Sequence, residues 1–323
     1  MLGLGAFLII KYWRQHRPHM PKTKEIAYEK PGKLPPAFVG MLLTPGAEPG
    51  WGHALGTLFD LADRGVLEID ELPDKKWYRQ HDFVIRLVKR PSSLQQHEQA
   101  LLDLLFDTKK GWVEEIEMSK LSSQVNTSGW KTFTNMLKDE FEAAGYISKE
   151  RKEARKNLVI AGVLLLALMV VLLIPALVFL NVFGLAVLML VGLCFLLAML
   201  AFIMSSALSP LSDLGVETAV TWQPFQNYLQ QVSRKKAAIT RPDIFELFMP
   251  YVASLGLLHS WAKRFEKEGV TTLPHYFHAL PGSTNQIAAF VAMTAATQTS
   301  SGSAAGAGAA GAGAAGGGAS GAG

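Results

Sequence analysis

Between residues 158 and 212 the chain carries no Lys, Arg, Asp, Glu or His, and this run constrains its folding more than any other feature. A helix rises ~1.5 Å per residue and the hydrocarbon layer is ~30 Å thick, so the apolar stretch 158–204 is about twice the length of one crossing. It reads as a hairpin of two helices. Asn181 is the only amide in the stretch; with Pro175 before it and Gly184 after it, it sets the break and leaves 158–180 and 182–204 as the two spans. Seventeen residues of the first span are Leu, Ile, Val or Phe. At roughly −0.3 to −0.6 kcal/mol each near a helix centre, they outweigh the ~3 kcal/mol cost of one buried charge. A core helix of a soluble protein keeps a polar face, and these helices have none. A single soluble globule is excluded, although the averages over 323 residues, 49% apolar and +4 net, resemble one.

Orientation follows from the basic residues. Arg151, Lys152, Arg155 and Lys156 precede the first span, Arg234, Lys235 and Lys236 follow the second, and nothing basic lies between the spans. Basic flanks stay inside, so the spans are expected in the cell inner or plasma membrane, with residues 14–157 and 205–323 cytoplasmic and the tip at Asn181 outside. The glycosylation-like triplet Asn126-Thr127-Ser128 then lies on the wrong side and is a chance match. The lone Cys194 falls within the second span, which rules out a disulfide framework or a multi-thiolate metal site within one chain.

The apolar start, residues 1–10, ends at Lys11-Tyr12-Trp13-Arg14, an aromatic and basic boundary of the kind found at the cytoplasmic end of a span. It is too short to cross alone, and a signal peptide would carry its charges before the apolar run. Residues 1–13 are expected to be the end of a truncated transmembrane helix. Residues 14–50 hold seven of the sixteen prolines, all between Arg17 and Gly50, with little periodicity, and read as an extended connector.

The region 51–150 resumes folding. Trp51, Leu55, Leu58 and Ala62 recur at helical spacing, Gly65 suits a helix C-terminus, and Val66 to Ile69 reads as a strand. After a turn at Pro73-Asp74, Phe83 to Val88 supplies a second strand. The pattern recurs. Ser93 is expected to cap a helix reaching Phe106, residues 113–118 are strand-like, and Trp130, Phe133, Leu137, Phe141 and Ala144 line another helix that stops at Gly145 before a strand at Tyr146-Ile147. Helix, glycine and inward strand are the order of a third helix and wing, which predicts winged-helix-like modules. Lys131 and Lys138 on the later helix and Lys75, Lys76 and Arg79 on the first hairpin invite a nucleic-acid reading. Asp139, Glu140 and Glu142 share that helix, however, and residues 11–157 hold 24 basic against 21 acidic residues. Near-neutral charge is poor for phosphate binding, so nucleic acid is disfavoured as a partner.

In the region 214–280, an amphipathic helix from Leu214 to about Val232 presents Trp222, Phe225, Tyr228 and Leu229 and ends at the basic turn Arg234-Lys235-Lys236. A second helix opens near Thr240 with Pro242 in its first turn. Its stripe Ile244, Phe248, Tyr251, Leu255, Leu258, Ala262, Phe265 alternates four and three and predicts one continuous packing face, bent at Pro250. Residues 281–323 read as a disordered tail, the last 23 being ten Gly, ten Ala and three Ser.

No catalytic constellation is visible. There is no phosphate-binding glycine loop and no nucleophile elbow, and His97-Glu98 lacks the second histidine of a zinc protease helix. The pairs His16/His19 and His275/His278 are spaced to share helix faces but have no carboxylate or thiolate companions in the sequence, so they read as surface residues. Catalytic, cofactor-binding and metal sites are all expected to be absent. The partners expected are the lipid bilayer and a protein, with no small-molecule ligand. Spans without ionisable residues also argue against a transport pathway.

This order of parts resembles the YciQ-like predicted bacterial membrane proteins, a domain-of-unknown-function family (number 2207). The resemblance is carried by Lys11-Tyr12-Trp13-Arg14, by Leu34-Pro35-Pro36 and by the block Thr57-Leu58-Phe59-Asp60-Leu61-Ala62-Asp63-Arg64-Gly65-Val66-Leu67-Glu68-Ile69. The charge-free hairpin, the segment from Phe248-Met249-Pro250-Tyr251 to Gly256, then Trp261-Ala262-Lys263-Arg264-Phe265 and the small-residue tail complete it, so it covers nearly the whole chain. It implies a signal peptide and an extracytoplasmic β-rich domain upstream of a span, which this chain lacks, and a tail richer in glycine than this one. It implies architecture and location without a mechanism. The fold expected is an α+β membrane protein with winged-helix-like cytoplasmic modules, a two-helix transmembrane hairpin, amphipathic C-terminal helices and a disordered tail.

Overall fold

The computed structural model describes residues 2–44, 46, 48–72, 82–108, 111–118, 128–178, 186–239, 241, 243–269 and 273–280. The turn at Pro73-Asp74, Lys75, Lys76 and Arg79, Asn126-Thr127, the tip at Asn181 with Gly184, the cap at Thr240 with Pro242, and the tail from 281 lie outside the described residues. The chain divides into two compact units. One comprises Met1–Pro31, Met41–Ala47 and Phe141–Phe225, and the other Gly32–Gly40, Glu48–Glu140 and Gln226–Gly323.

The first unit contains helix α1 (Leu2–His16) and the two long apolar helices, α6 (Lys149–Val178) and α7 (Ala186–Ala207). The α6 helix begins nine residues before the apolar run, so the basic segment Arg151 to Lys156 is helical and continuous with the span. Helices α6 and α7 pack along each other, and α1 lies against α7. Close approach depends on small residues: a Cβ on Gly162 would meet the Phe202 ring at 2.9 Å, while Ala198 and Ala201 are fully buried. After the hairpin, helix α8 (Asp213–Ser233) carries the amphipathic face expected from Leu214, with Trp222 and Phe225 buried in this unit.

The second unit is built on helix α3 (Trp51–Asp63) and the strands β1 (Leu67–Leu72) and β2 (Asp82–Leu87). The α3 helix stops where the sequence says it should. Gly65 adopts φ +67°, the Val66 N–H reaches back to the Leu61 carbonyl at 2.9 Å, and the strand begins two residues later. The β1 and β2 strands pair antiparallel from Leu67–Leu87 to Leu72–Asp82, placing Leu67, Ile69, Phe83 and Ile85 in the core. Helix α4 (Gln96–Phe106), the small hairpin β3 (Asp107–Thr108) and β4 (Gly111–Trp112), and strand β5 (Glu115–Glu117) follow. The sheet order is β5-β2-β1-β6, in which β6 (Phe277–His278) adds to β1 in parallel.

Several expectations are corrected. The connector 14–50 is not extended throughout, because residues Ala-Phe-Val-Gly-Met-Leu-Leu form helix α2 (Pro36–Leu43), whose Pro36 sits at the first position, where a missing N–H costs nothing. Ser93 does not cap α4. Gln95 does, its N–H donating to Glu98 Oε2 at 2.9 Å. Helix α5 (Ser128–Ala143) ends at Gly145 with φ +82°, as α3 ends at Gly65, but the following Ile147 makes a single bridge to Leu211 in place of a strand. The continuous helix expected from 240 to 265 is three short ones: α9 (Ile244–Leu247), α10 (Met249–Ser254) and α11 (Leu258–Lys267). Pro250 lacks the N–H that would carry the helix through Phe248, and Gly256, with φ +70°, turns the chain between α10 and α11. Ile244, Phe248, Tyr251, Leu258, Ala262 and Phe265 are buried all the same.

Helix α10 crosses α3 at close range. A Cβ on Gly56 would lie 2.7 Å from Ser254 Cβ and 2.9 Å from the Pro250 carbonyl oxygen, so only glycine fits there. Gly40 of α2 has the same role: its missing Cβ would stand 2.1 Å from Ser254 Oγ and 2.5 Å from His53 Cδ2.

His53 is wholly buried at this crossing, with Nδ1 accepting the Gly50 N–H at 2.8 Å. Burial drives its pKa down to about 4, against smaller opposing effects of backbone hydrogen bonds. The unfolded chain binds a proton at the ordinary 6.5 while the native state stays neutral until about 4, so the contribution to stability is complete above 6.5 and is lost as pH falls towards 4. About 2 kcal/mol should disappear between pH 7 and pH 5. Denaturation of the full chain at the two pH values measures this loss, and a His53→Gln variant should lack that component.

Candidate functional site

The features that set this chain apart from an ordinary globule lie at the ends of its apolar helices. Two helical segments, Lys149–Ile174 and Met189–Ala207, are long and apolar enough to cross a membrane. Their outward side chains are apolar: Val163, Leu164, Val170, Val171, Ile174, Met189 and Leu196 are all largely exposed.

The polar ends of these helices meet. Ala154 and Leu158 of α6 and Leu208, just after α7, form a buried cluster against which Ile9, Tyr12, Trp13 and Met204 pack. Asn157, the last polar residue before the charge-free run, donates from Nδ2 to the Tyr12 hydroxyl at 3.2 Å. The aromatic and basic end of α1 thus sits level with the start of the apolar run of α6 and the end of α7. The Arg17 guanidinium lies 4.8 Å from the centre of the Trp13 ring.

The basic residues flanking α6 are held in place. Arg151 donates to the Leu211 carbonyl at 2.5 Å and to Asp213 Oδ1 at 2.7 Å, joining the start of α6 to the start of α8. Lys152 pairs with Glu142 at 2.5 Å, and Arg155 donates to the Gly46 carbonyl at 3.0 Å. Ser205 Oγ donates to the Arg155 carbonyl at 3.1 Å, tying α7 to α6 at the same level.

In the second unit, Lys138, one of the cations that invited a nucleic-acid reading, is paired, and so are Arg64 and Arg86. Lys138 pairs with Glu48 at 2.6 Å, Arg64 with Asp60 at 3.0 Å and with Glu98, and Arg86 with Asp70 and Glu115, each at 2.8 Å. His97 is buried, and its Nδ1 contacts Glu140, which also accepts the Gln96 N–H at 2.6 Å. Burial pushes the Glu140 pKa up, but hydrogen bonding and charge from His97 outweigh it, and the net shift is downward. This pair is a structural link between the start of α4 and α5.

The histidine pairs behave differently from their sequence reading. His16 Nδ1 bonds to the Tyr12 carbonyl at 2.9 Å and Nε2 lies 4.0 Å from Glu150, while His19 is exposed. His275 and His278 do not share a helix face. They lie in the segment that ends as β6, and the fold brings carboxylates to both. His275 contacts Glu246, with Asp63 alongside, and His278 Nδ1 lies 2.8 Å from Asp70, with Glu68 alongside. Among the described residues these are the two groups whose three donor atoms all lie within 4.8 Å of one another. Sequence reading missed them because Asp63, Glu246 and His275 stand far apart along the chain.

An apolar hairpin of spanning length with its polar ends in register defines a membrane protein with two candidate spanning helices. The family described as "Predicted membrane protein (DUF2207) C-terminal domain" matches residues 23–265, and the chain belongs to that family. No curated protein and no solved structure matches the chain.

Proposed function

We propose that this protein is a multi-pass, non-enzymatic membrane component whose cytoplasmic modules contact a protein partner and couple it to whatever lies across the bilayer. One observation carries the reading: the boundary residues of three apolar helices, Tyr12 and Trp13 on α1, Asn157 on α6 and Met204 on α7, lie at one level, as a shared water–lipid interface requires. Basic residues on the flanks of the hairpin favour a cytoplasmic body, and the order α3, Gly65, β1, β2 supports a winged-helix-like module there.

Cysteines placed at Ser93 and Ser260 should react with a membrane-impermeant maleimide only after the cytoplasmic side is opened. Labelling of both from outside would overturn the orientation. The membrane-tethered nucleic-acid reading predicts salt-dependent DNA affinity of the full chain in micelles. Flat binding curves at low salt favour the protein-contact reading, in keeping with the paired Lys138, Arg64 and Arg86.

A further inference from the structure

We propose that Asp63, Glu246 and His275 form a site for one divalent transition-metal ion of the Zn²⁺ kind, clipping the segment that carries β6 to α3 and α9. The three donors come from three separate parts of the chain: the last residue of α3, the short helix α9, and the turn just before β6. Their ligand atoms lie within 4.8 Å of one another, so small side-chain rotations suffice to close them to the ~2.0–2.2 Å bonds of a zinc ion. His275 Nδ1 already faces Glu246 Oε1, and the His275 backbone N–H donates to the same oxygen at 2.9 Å, which orients the carboxylate.

Three further features point to a bound cation. Asp63 ends α3, where the helix dipole is negative and an anion is disfavoured unless a cation accompanies it. No Lys or Arg pairs with Asp63 or Glu246 among the described residues. Finally, the Tyr276 hydroxyl is buried without a hydrogen-bond partner among the described residues. Its ring centre lies 5.2 Å from that of His275, edge to face, and 6.1 Å from that of Phe59, which places the Tyr276 ring beside the cluster. A metal-bound water or a coordinating carboxylate would give this hydroxyl the partner it lacks.

The neighbouring group Glu68, Asp70 and His278 has the same donor types but already holds a cation, since Arg86 Nη1 lies 2.8 Å from Asp70 Oδ2. It therefore serves as an internal control. An imidazole with two carboxylates suits Zn²⁺ or Co²⁺ and is a poor match for Mg²⁺, which prefers oxygen ligands only.

The test is Co²⁺ titration of the full chain in detergent micelles, followed by visible d–d absorption and displacement by Zn²⁺. The wild type should saturate at one equivalent, Mg²⁺ should not compete, and Zn²⁺ should raise the thermal midpoint. His275→Ala and Asp63→Asn should each weaken binding by about tenfold or more, while His278→Ala keeps it within a factor of about three. Far-UV circular dichroism checks that each variant is folded, and Asp63→Asn, at an exposed position, provides the ligand deletion if His275→Ala does not fold. Absence of d–d bands at one equivalent, wild-type binding by Asp63→Asn, or an equal loss in His278→Ala would overturn the site.

Discussion

A chain carrying both Val163→Asp and Val170→Asp should be retained in the membrane pellet after alkaline carbonate extraction far less than the wild type. The two positions are seven residues apart on one face of α6, and both are exposed. The seventeen strongly apolar residues of 158–180 favour insertion by roughly 5–10 kcal/mol in sum, and the two aspartates, one of them near the helix centre, oppose it by up to about 7. The balance for α6 moves close to zero and leaves α7 as the only intact span of the hairpin, so more of the variant should appear in the supernatant or be degraded. Val163→Leu with Val170→Leu should remain in the pellet. Retention of the aspartate variant equal to that of the wild type would contradict membrane insertion of α6.

Trp261→Ala is expected to be the most destabilising single change in the second unit. The side chain is fully buried, its ring centre is 4.9 Å from that of Phe265, and Nε1 donates to the Phe245 carbonyl at 3.3 Å. Truncating a buried tryptophan costs about 3–5 kcal/mol, and here it also removes the hydrogen bond from Nε1 to the Phe245 carbonyl. The thermal midpoint of the full chain in micelles should fall by roughly 10 °C. Leu247→Ala, at a largely exposed position on α9, should change stability by less than about 0.5 kcal/mol. A drop for Trp261→Ala no larger than that of Leu247→Ala would show that α11 does not pack as described.

How far the sequence could be read depended on whether the deciding interaction is local. The hairpin was legible because hydrocarbon imposes a length and a polarity on consecutive residues. Gly65 and Gly145 were legible as helix ends because a left-handed residue is a local requirement. The stripe from Ile244 to Phe265 misled, since its spacing of four and three survives two breaks in the helix: the residues keep facing the core while the axis changes direction at Phe248 and Gly256. Helix α2 is hard to read from sequence because it opens within a proline-rich stretch, and its short apolar run after Pro36 carries no polar face to mark a helical period. The carboxylates beside His275 and His278 were invisible for a different reason. They reach those histidines only through the parallel pairing of β1 with β6, in which Ile69 meets Phe277 and Asp70 meets His278.

That pairing also constrains the order of events during synthesis. Strand β1 emerges from the ribosome about 200 residues before its partner β6, and α3 emerges well before α10, the helix packed on Gly56. The two spans are made in the interval. Long-range pairings of this kind close last, so the second unit stays unfinished until the hairpin has been synthesised. The second unit therefore completes its sheet only after both apolar helices have been made, and a chain stalled before the hairpin would expose the apolar faces of α3 and β1 to cellular proteases.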